Sequence, residues 1–155
     1  MNGKRWNGKY KVYDYDDDDC KLKYECEYLN GEINGKFKEY NFYGSLKFEG
    51  EYLNGQKNGK IKEYDCGKLK FENEYLNGVI YGKGKEYDTS GRLIYEGEYI
   101  NGKRNGKGKE YYDDGSLKFE GQYLNGERNG KGKEYNYHLA ESIIEVEYLH
   151  GKRIG

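Results

Sequence analysis

Residues 93–111 read Leu93-Ile-Tyr-Glu-Gly-Glu-Tyr-Ile-Asn-Gly-Lys-Arg-Asn-Gly-Lys-Gly-Lys-Glu-Tyr111. The first seven alternate, which puts Leu93, Tyr95, Gly97 and Tyr99 on one face of a strand and Ile94, Glu96 and Glu98 on the other. Asn101-Gly102 and Asn105-Gly106 frame the connection that follows. Asn-Gly is the strongest short hairpin signal because both residues tolerate positive φ. Lys107-Gly-Lys-Glu-Tyr111 returns as a second strand, and Asp113-Asp114-Gly115 supplies the next turn. A helix is not expected, since glycine at this density costs roughly 1 kcal/mol at each interior position.

The same phrase recurs along the chain. Tyr-Leu/Ile-Asn-Gly begins at Tyr28, Tyr52, Tyr75, Tyr99 and Tyr123, and Tyr-Leu-His-Gly begins at Tyr148. A second series closes each unit at Tyr40, Tyr64, Tyr87, Tyr111 and Tyr135, with Tyr13 before them. Two phase-locked series at steps of 23 to 25 residues define a tandem array. The expected fold is all-β: an elongated, twisted, single-layer antiparallel sheet of tandem two-stranded hairpins, about 12 strands, running on the order of 50 Å at ~4.8 Å per strand. The expected organisation is a single repeat domain over 1–155. It has a partial unit at 1–13, repeats near 22–45, 46–68, 69–92, 93–116 and 117–141, and an atypical terminal half-unit at 142–155.

Composition fits this frame. Of 155 residues, 20 are Tyr, 5 Phe and 1 Trp, so rings rather than a thick aliphatic core must supply the burial. The 24 Gly follow no Gly-X-Y period, and the aromatic content argues against disorder. Lys and Arg number 27 against 28 Asp and Glu, a formal net of −1. A chain that neutralises phosphates carries a basic excess, so nucleic acid is not an expected partner. No apolar run reaches the length of a membrane span. Cys20, Cys26 and Cys66 have no Cys-x-x-Cys spacing, so neither a disulfide framework nor a zinc knuckle is read, and a reducing interior is the default.

The stretch Tyr95 to Gly108 resembles the MORN (membrane occupation and recognition nexus) repeat, whose pattern is Tyr-x-Gly-x-Trp-x-x-Gly-x-x-x-Gly-x-Gly. Tyr95, Gly97, Gly102, Gly106 and Gly108 match, with Tyr99 where Trp is usual. The unit from Phe119 matches through Gly121, Tyr123, Gly126, Gly130 and Gly132. Earlier units drift: Phe37 and Ile61 replace the last Gly, and Cys26 and Asn73 replace the first. In the pattern, an aromatic lies flat over Gly108, so Phe37 and Ile61 must fill that room differently. The resemblance spans residues 22–151 and implies a non-catalytic scaffold or adaptor module that mediates protein–protein interaction.

Four further features bear on function. The opposite face pairs Glu49 and Glu51 with Lys60 and Lys62, a solvated charge ladder. The acidic run Asp14-Tyr-Asp-Asp-Asp-Asp19 with Glu25 approaches an EF-hand loop, but Asp19 stands where Gly is needed and no helices flank it. It reads as an acidic turn, and no metal is expected. The hairpin loops gather Lys57, Lys103, Arg104, Arg128, Lys152 and Arg153, against Asp65, Asp88, Asp113 and Asp114 at the other strand ends. This gives one basic edge suited to anionic headgroups and one acidic edge. The aromatic row Tyr28, Tyr52, Tyr75, Tyr99 and Tyr123 needs a cover, because a single-layer sheet leaves one apolar face open.

The candidate binding residues are therefore Tyr52, Tyr75, Tyr99, Tyr123, Lys103, Arg104, Arg128 and Arg153. Ile144, Val146 and Tyr148 lie on a terminal strand expected to form an open edge, so they are the candidates for homodimer contact through the C-terminal repeat. His138 and His150, the only histidines, sit in turn positions, and no catalytic motif or cofactor-binding loop occurs. No enzyme activity and no cofactor are expected. The alternatives to a protein-binding scaffold are peripheral binding of anionic phospholipid through the basic edge, and a regulatory segment of a larger enzyme. The expected location is cytoplasmic, at a membrane or cytoskeletal periphery.

Overall fold

The computed structural model describes residues 6–16, 19–137 and 142–155. Its contacts divide the chain into two compact units, Met1–Val79 and Ile80–Gly155. The first holds β1 (Gly8–Asp16), β2 (Asp19–Leu29), β3 (Glu32–Tyr40), β4 (Leu46–Leu53), β5 (Gln56–Asp65) and β6 (Lys68–Leu76). The strand β7 (Val79–Tyr87) begins at the boundary. The second unit continues with β8 (Leu93–Ile100), β9 (Lys103–Tyr111), β10 (Leu117–Leu124), β11 (Glu127–Tyr135), β12 (Ile143–Leu149) and the short β13 (Lys152–Arg153). Within each unit the strands lie in chain order, each antiparallel to its neighbours. The all-β, single-layer antiparallel reading holds, with thirteen strands among the described residues.

Each Asn-Gly or His-Gly after the tyrosine makes a two-residue turn. Asn30, Asn54, Asn77, Asn101, Asn125 and His150 all take φ between 47° and 54°, and the glycine that follows each is also positive. Positive φ at both central residues is the hairpin geometry that matches strand twist. The turn glycine then donates its N–H to the second carbonyl of the preceding repeat's return strand: Gly55 to Ile33 at 2.9 Å, Gly78 to Lys57 at 2.9 Å, Gly102 to Ile80 at 3.1 Å and Gly126 to Arg104 at 2.9 Å. Successive hairpins within a unit are stitched at their tips.

The second Asn-Gly of the repeat quoted above behaves otherwise than expected. Asn105-Gly106 is inside β9, which starts at Lys103 and not at Lys107. Gly97 faces Gly108 while Tyr99 faces Arg104, so β9 advances further than β8 between the two pairs. The surplus residues form a bulge at Gly106, whose φ is 81°. Glu98 accepts the freed N–H of Lys107 at 3.2 Å, as Glu27 accepts that of Lys36 at 3.1 Å.

Bulging also corrects the charge ladder. Glu49 faces Lys62 as expected, but Glu51 faces Asn58 and Lys60 faces Glu74. Ion pairs run across the other strand junctions, with Lys11–Glu25 at 2.7 Å, Lys38–Glu49 at 3.7 Å, Lys62–Glu72 at 3.9 Å and Lys85–Glu96 at 3.6 Å. The closing tyrosines share this face: Tyr64 donates to Glu49 at 2.6 Å, Tyr111 to Glu96 at 2.6 Å and Tyr135 to Glu120 at 2.7 Å.

The opposite face carries one core in each unit. In the first, Cys26, Phe37, Phe48 and Ile61 are buried, with Tyr10, Tyr24, Tyr28, Ile33, Tyr52 and Tyr75 packed against them. In the second, the core is Tyr95, Tyr99, Phe119, Tyr123, Val146 and Tyr148. Here the Tyr95 side chain covers Gly97 with its hydroxyl and Gly108 with its ring, and the Phe119 ring covers Gly121 and Gly132, so a methyl group on any of these glycines would overlap an aromatic side chain. In the first unit Ile61 fills the same room above Gly50. The glycine-to-bulky exchange in the early repeats is a packing exchange, as the spacing implied.

The strand of Tyr148 is not bare along its length. β13 pairs with it at Tyr148 and Leu149, and Glu147 exchanges hydrogen bonds with Ile154 and Gly155.

Candidate functional site

The aromatic face differs between the two units because one sequence column changes. Two residues past each turn glycine stand Ile33, Lys57, Ile80, Arg104, Arg128 and Arg153. Just before each closing tyrosine stand Glu39, Glu63, Glu86, Glu110 and Glu134. In the second unit the two columns meet.

Arg104 lies 3.8 Å above the centre of the Tyr95 ring and grips Glu86 with both arms, Nε at 2.8 Å and an Nη at 2.7 Å. Tyr99 donates its hydroxyl to the same carboxylate at 2.5 Å. One repeat later Arg128 lies 4.0 Å above Phe119, grips Glu110 at 2.8 and 2.7 Å, and Tyr123 donates to Glu110 at 2.5 Å. Arg128 also reaches Glu134 at 3.1 Å and the Tyr148 hydroxyl at 2.9 Å, and Tyr148 donates to Glu134. Arg153 completes the series on Glu134 at 3.1 Å. A guanidinium stacked on a ring and forked onto a carboxylate is among the stronger side-chain arrangements.

These contacts set the protonation of the carboxylates. Burial alone would raise Glu86, but hydrogen bonds from Arg104 and Tyr99 and the Arg104 charge outweigh it and hold the carboxyl below its ordinary value. Glu110 is depressed in the same way, burial opposing and Arg128 and Tyr123 prevailing. Tyr99 and Tyr123 are pushed well up by burial and by the carboxylates they serve.

The first unit has no arginine in the column. Ile33 takes one place, and Lys57 sits over the Phe48 ring at 4.1 Å but turns its ammonium to Glu63 at 3.5 Å. Glu39 is bound by the exposed Lys47 at 2.7 Å. The side chains of Glu39 and Glu63 are 36% and 34% exposed, against 18% and 19% for Glu86 and Glu110. Tyr28, Tyr52 and Tyr75 stay half-buried, and Trp6, stacked on Tyr10 at 5.1 Å, is exposed.

A family model described as the MORN repeat matches residues 48–60, 95–117 and 119–136. The chain carries MORN repeats. No curated protein matches the sequence. MORN repeats are associated in general with protein or membrane-lipid interaction. No helix of the described residues is long and apolar enough to cross a membrane.

Placed on this MORN sheet, the candidate residues separate. Tyr99 with Arg104, and Tyr123 with Arg128, are brought together and buried or half-buried around Glu86 and Glu110. Tyr52 and Tyr75 line the open first-unit face. Lys103 is exposed beside its turn. Val146 and Tyr148 are core residues, whereas Ile144 is exposed. Ile144 also borders a cleft of about 340 Å³ with Tyr112, Lys118, Arg128, Glu134 and Tyr137.

Within the acidic run Asp16 pairs with Asp19, and Asp17 and Asp18 lie outside the described residues, as do His138, Glu141 and residues 1–5.

Two features escaped the sequence reading. The glutamate column was visible as the penultimate letter of every Lys-Glu-Tyr, yet its partner comes from the following repeat. The second is a row of aliphatic side chains after the turn tyrosines. Leu29, Leu53 and Leu76 in the first unit, and Ile100, Leu124 and Leu149 in the second, are 42–53% exposed.

Proposed function

We propose that the chain is a non-catalytic adaptor that binds a protein partner on the aromatic face of its first unit. One observation carries this reading: repeat positions sealed by Arg–Glu pairs in the second unit are left half-open in the first. A sheet face with rings at the surface and Glu39 paired only with the exposed Lys47 has both apolar area and unspent hydrogen-bonding capacity. The test is affinity capture on the immobilised chain, with Tyr52→Ala and Trp6→Ala compared against Tyr43→Ala, which alters an exposed turn. The variants of the aromatic face lose the captured partner and the turn variant keeps it. Equal capture by all three rejects the assignment to this face.

A second reading is favoured by the exposed aliphatic row. In the second unit it runs beside Lys103, Lys107, Lys131 and Lys152, all exposed. That combination suits the interface of an anionic bilayer. Flotation with anionic liposomes across a salt series tests it, and absence of binding at low salt removes it.

A further inference from the structure

The open face has a spacing that selects its ligand. Tyr28, Tyr52 and Tyr75 are on β2, β4 and β6, so successive rings are two strands apart, about 9.6 Å at ~4.8 Å per strand. A polyproline II helix repeats every 3 residues at ~3.1 Å each, about 9.3 Å per turn. Laid across the strands, it brings each turn to a gap between tyrosines, the first lined by Ile33 and the second by Lys57, with a mismatch below about 1 Å over the three rings. An α-helix fits less well, because its nearest same-face repeat of 7 residues spans about 10.5 Å and drifts by about 2 Å over the same distance. An added β-strand would run along the strands and meet only one ring of the row.

The chemistry of the face agrees with the spacing. A polyproline II backbone makes no internal hydrogen bonds and presents its carbonyls outward. The Tyr52 hydroxyl and the Trp6 indole N–H make no hydrogen bond with the described residues and can donate to them. Rings are the usual walls for proline, which offers a flat apolar surface at low entropic cost. Charge adds a direction. The second unit places an arginine on Glu86 and on Glu110, whereas Glu39 has only Lys47, an exposed lysine that a ligand can displace at little cost. The position that supplies the arginine to Glu86 and Glu110 holds Lys57 for Glu39, and Lys57 turns to Glu63 instead.

We propose that the aromatic face of the first unit binds a proline-rich segment in polyproline II conformation, its turns seated between Tyr28, Tyr52 and Tyr75 and an arginine of the segment paired with Glu39. This rests on the reading of the chain as a protein-docking module.

The test uses the full chain in two arms. In the first, a fluorescein-labelled oligoproline ending in arginine is titrated and followed by anisotropy, beside the same peptide ending in alanine. Saturable binding is expected, tighter for the arginine peptide. Tyr52→Phe, which keeps the ring, weakens binding about fivefold through loss of one hydrogen bond. Glu39→Gln abolishes the preference for arginine, and circular dichroism verifies that both variants fold. No saturation, or a preference unchanged in Glu39→Gln, overturns the proposal.

In the second arm, a random-peptide display library is panned against the wild type and against Tyr52→Ala. Enrichment of proline-rich, arginine-bearing sequences that Tyr52→Ala does not retain supports the proposal. Enrichment of proline-free sequences dependent on Tyr52 overturns it while leaving the docking module standing. No enrichment rejects both.

Discussion

Replacing Tyr95 by Phe should make the protein more stable, although it deletes a polar group from a repeat-defining residue. Tyr95 is 0% exposed, its side chain is pressed onto Gly97 and Gly108, and its hydroxyl has no hydrogen-bond partner. Burial accordingly pushes its ionisation well up. A buried hydroxyl left unpaired costs about 1–3 kcal/mol. Removing one oxygen leaves a void on the order of 10 Å³, which at ~24 cal/mol per Å³ returns only about 0.2 kcal/mol. The stacking of Arg104 on the ring survives, since Arg128 makes the same contact with Phe119. The net gain is about 1–2.5 kcal/mol, or a rise in Tm of about 2–10 °C for a chain of this size. Thermal and urea unfolding followed by circular dichroism measure it. The reverse exchange, Phe119→Tyr, buries a second orphan hydroxyl and lowers Tm by a similar amount. A Tyr95→Phe protein that melts below the wild type would refute the reasoning, because it would mean the hydroxyl is satisfied.

Other outcomes follow from the arginine caps and the buried groups. Arg128→Ala, which strips Glu110 and Glu134 of their shared guanidinium, should cost about 3–5 kcal/mol in urea unfolding, whereas Arg153→Ala, at 47% side-chain exposure, should cost less than about 1. Glu86 and Glu110 have folded values below the ordinary 4.5. Their stabilisation is therefore complete above that pH and lost as pH falls through the depressed values, and the decline in urea midpoint should be shallower in Glu86→Gln. Burial and the hydrogen bond to Glu49 push Tyr64 up to about 12. Its contribution holds below the ordinary 10.0 and disappears as pH rises through that raised value, so an ultraviolet titration should show several late phenols, one fewer in Tyr64→Phe. A thiol reagent should label Cys20 and Cys66 quickly and Cys26 only in denaturant, since Cys26 is buried and the other two are exposed.

The architecture was legible because glycine and tyrosine obey local rules. Asn101-Gly102 must turn, and Leu93 to Tyr99 must alternate, whatever lies elsewhere. The bulge at Asn105-Gly106 was not legible, for the dipeptide is the same as in the turn, and what distinguishes it is Glu98 reaching across to the Lys107 amide. The site was read less well for a related reason. Arg104 looks like a loop cation in one dimension, and only the fold brings it over Tyr95 and against a glutamate eighteen residues away. Charge pairing between successive repeats removes from the surface residues that composition assigns to it.

The stitching of hairpin tips also bears on how the chain ages. Asn-Gly is the dipeptide most prone to deamidation, because the glycine nitrogen can close onto the asparagine side chain. In the folded chain that nitrogen is occupied: Gly55, Gly78, Gly102 and Gly126 each hold a carbonyl of the preceding repeat. Every tip is chemically shielded by its neighbour, and a tip that opens loses the shield. Isoaspartate accumulating at one Asn-Gly and not the next would then be a lasting record of which hairpin had come loose.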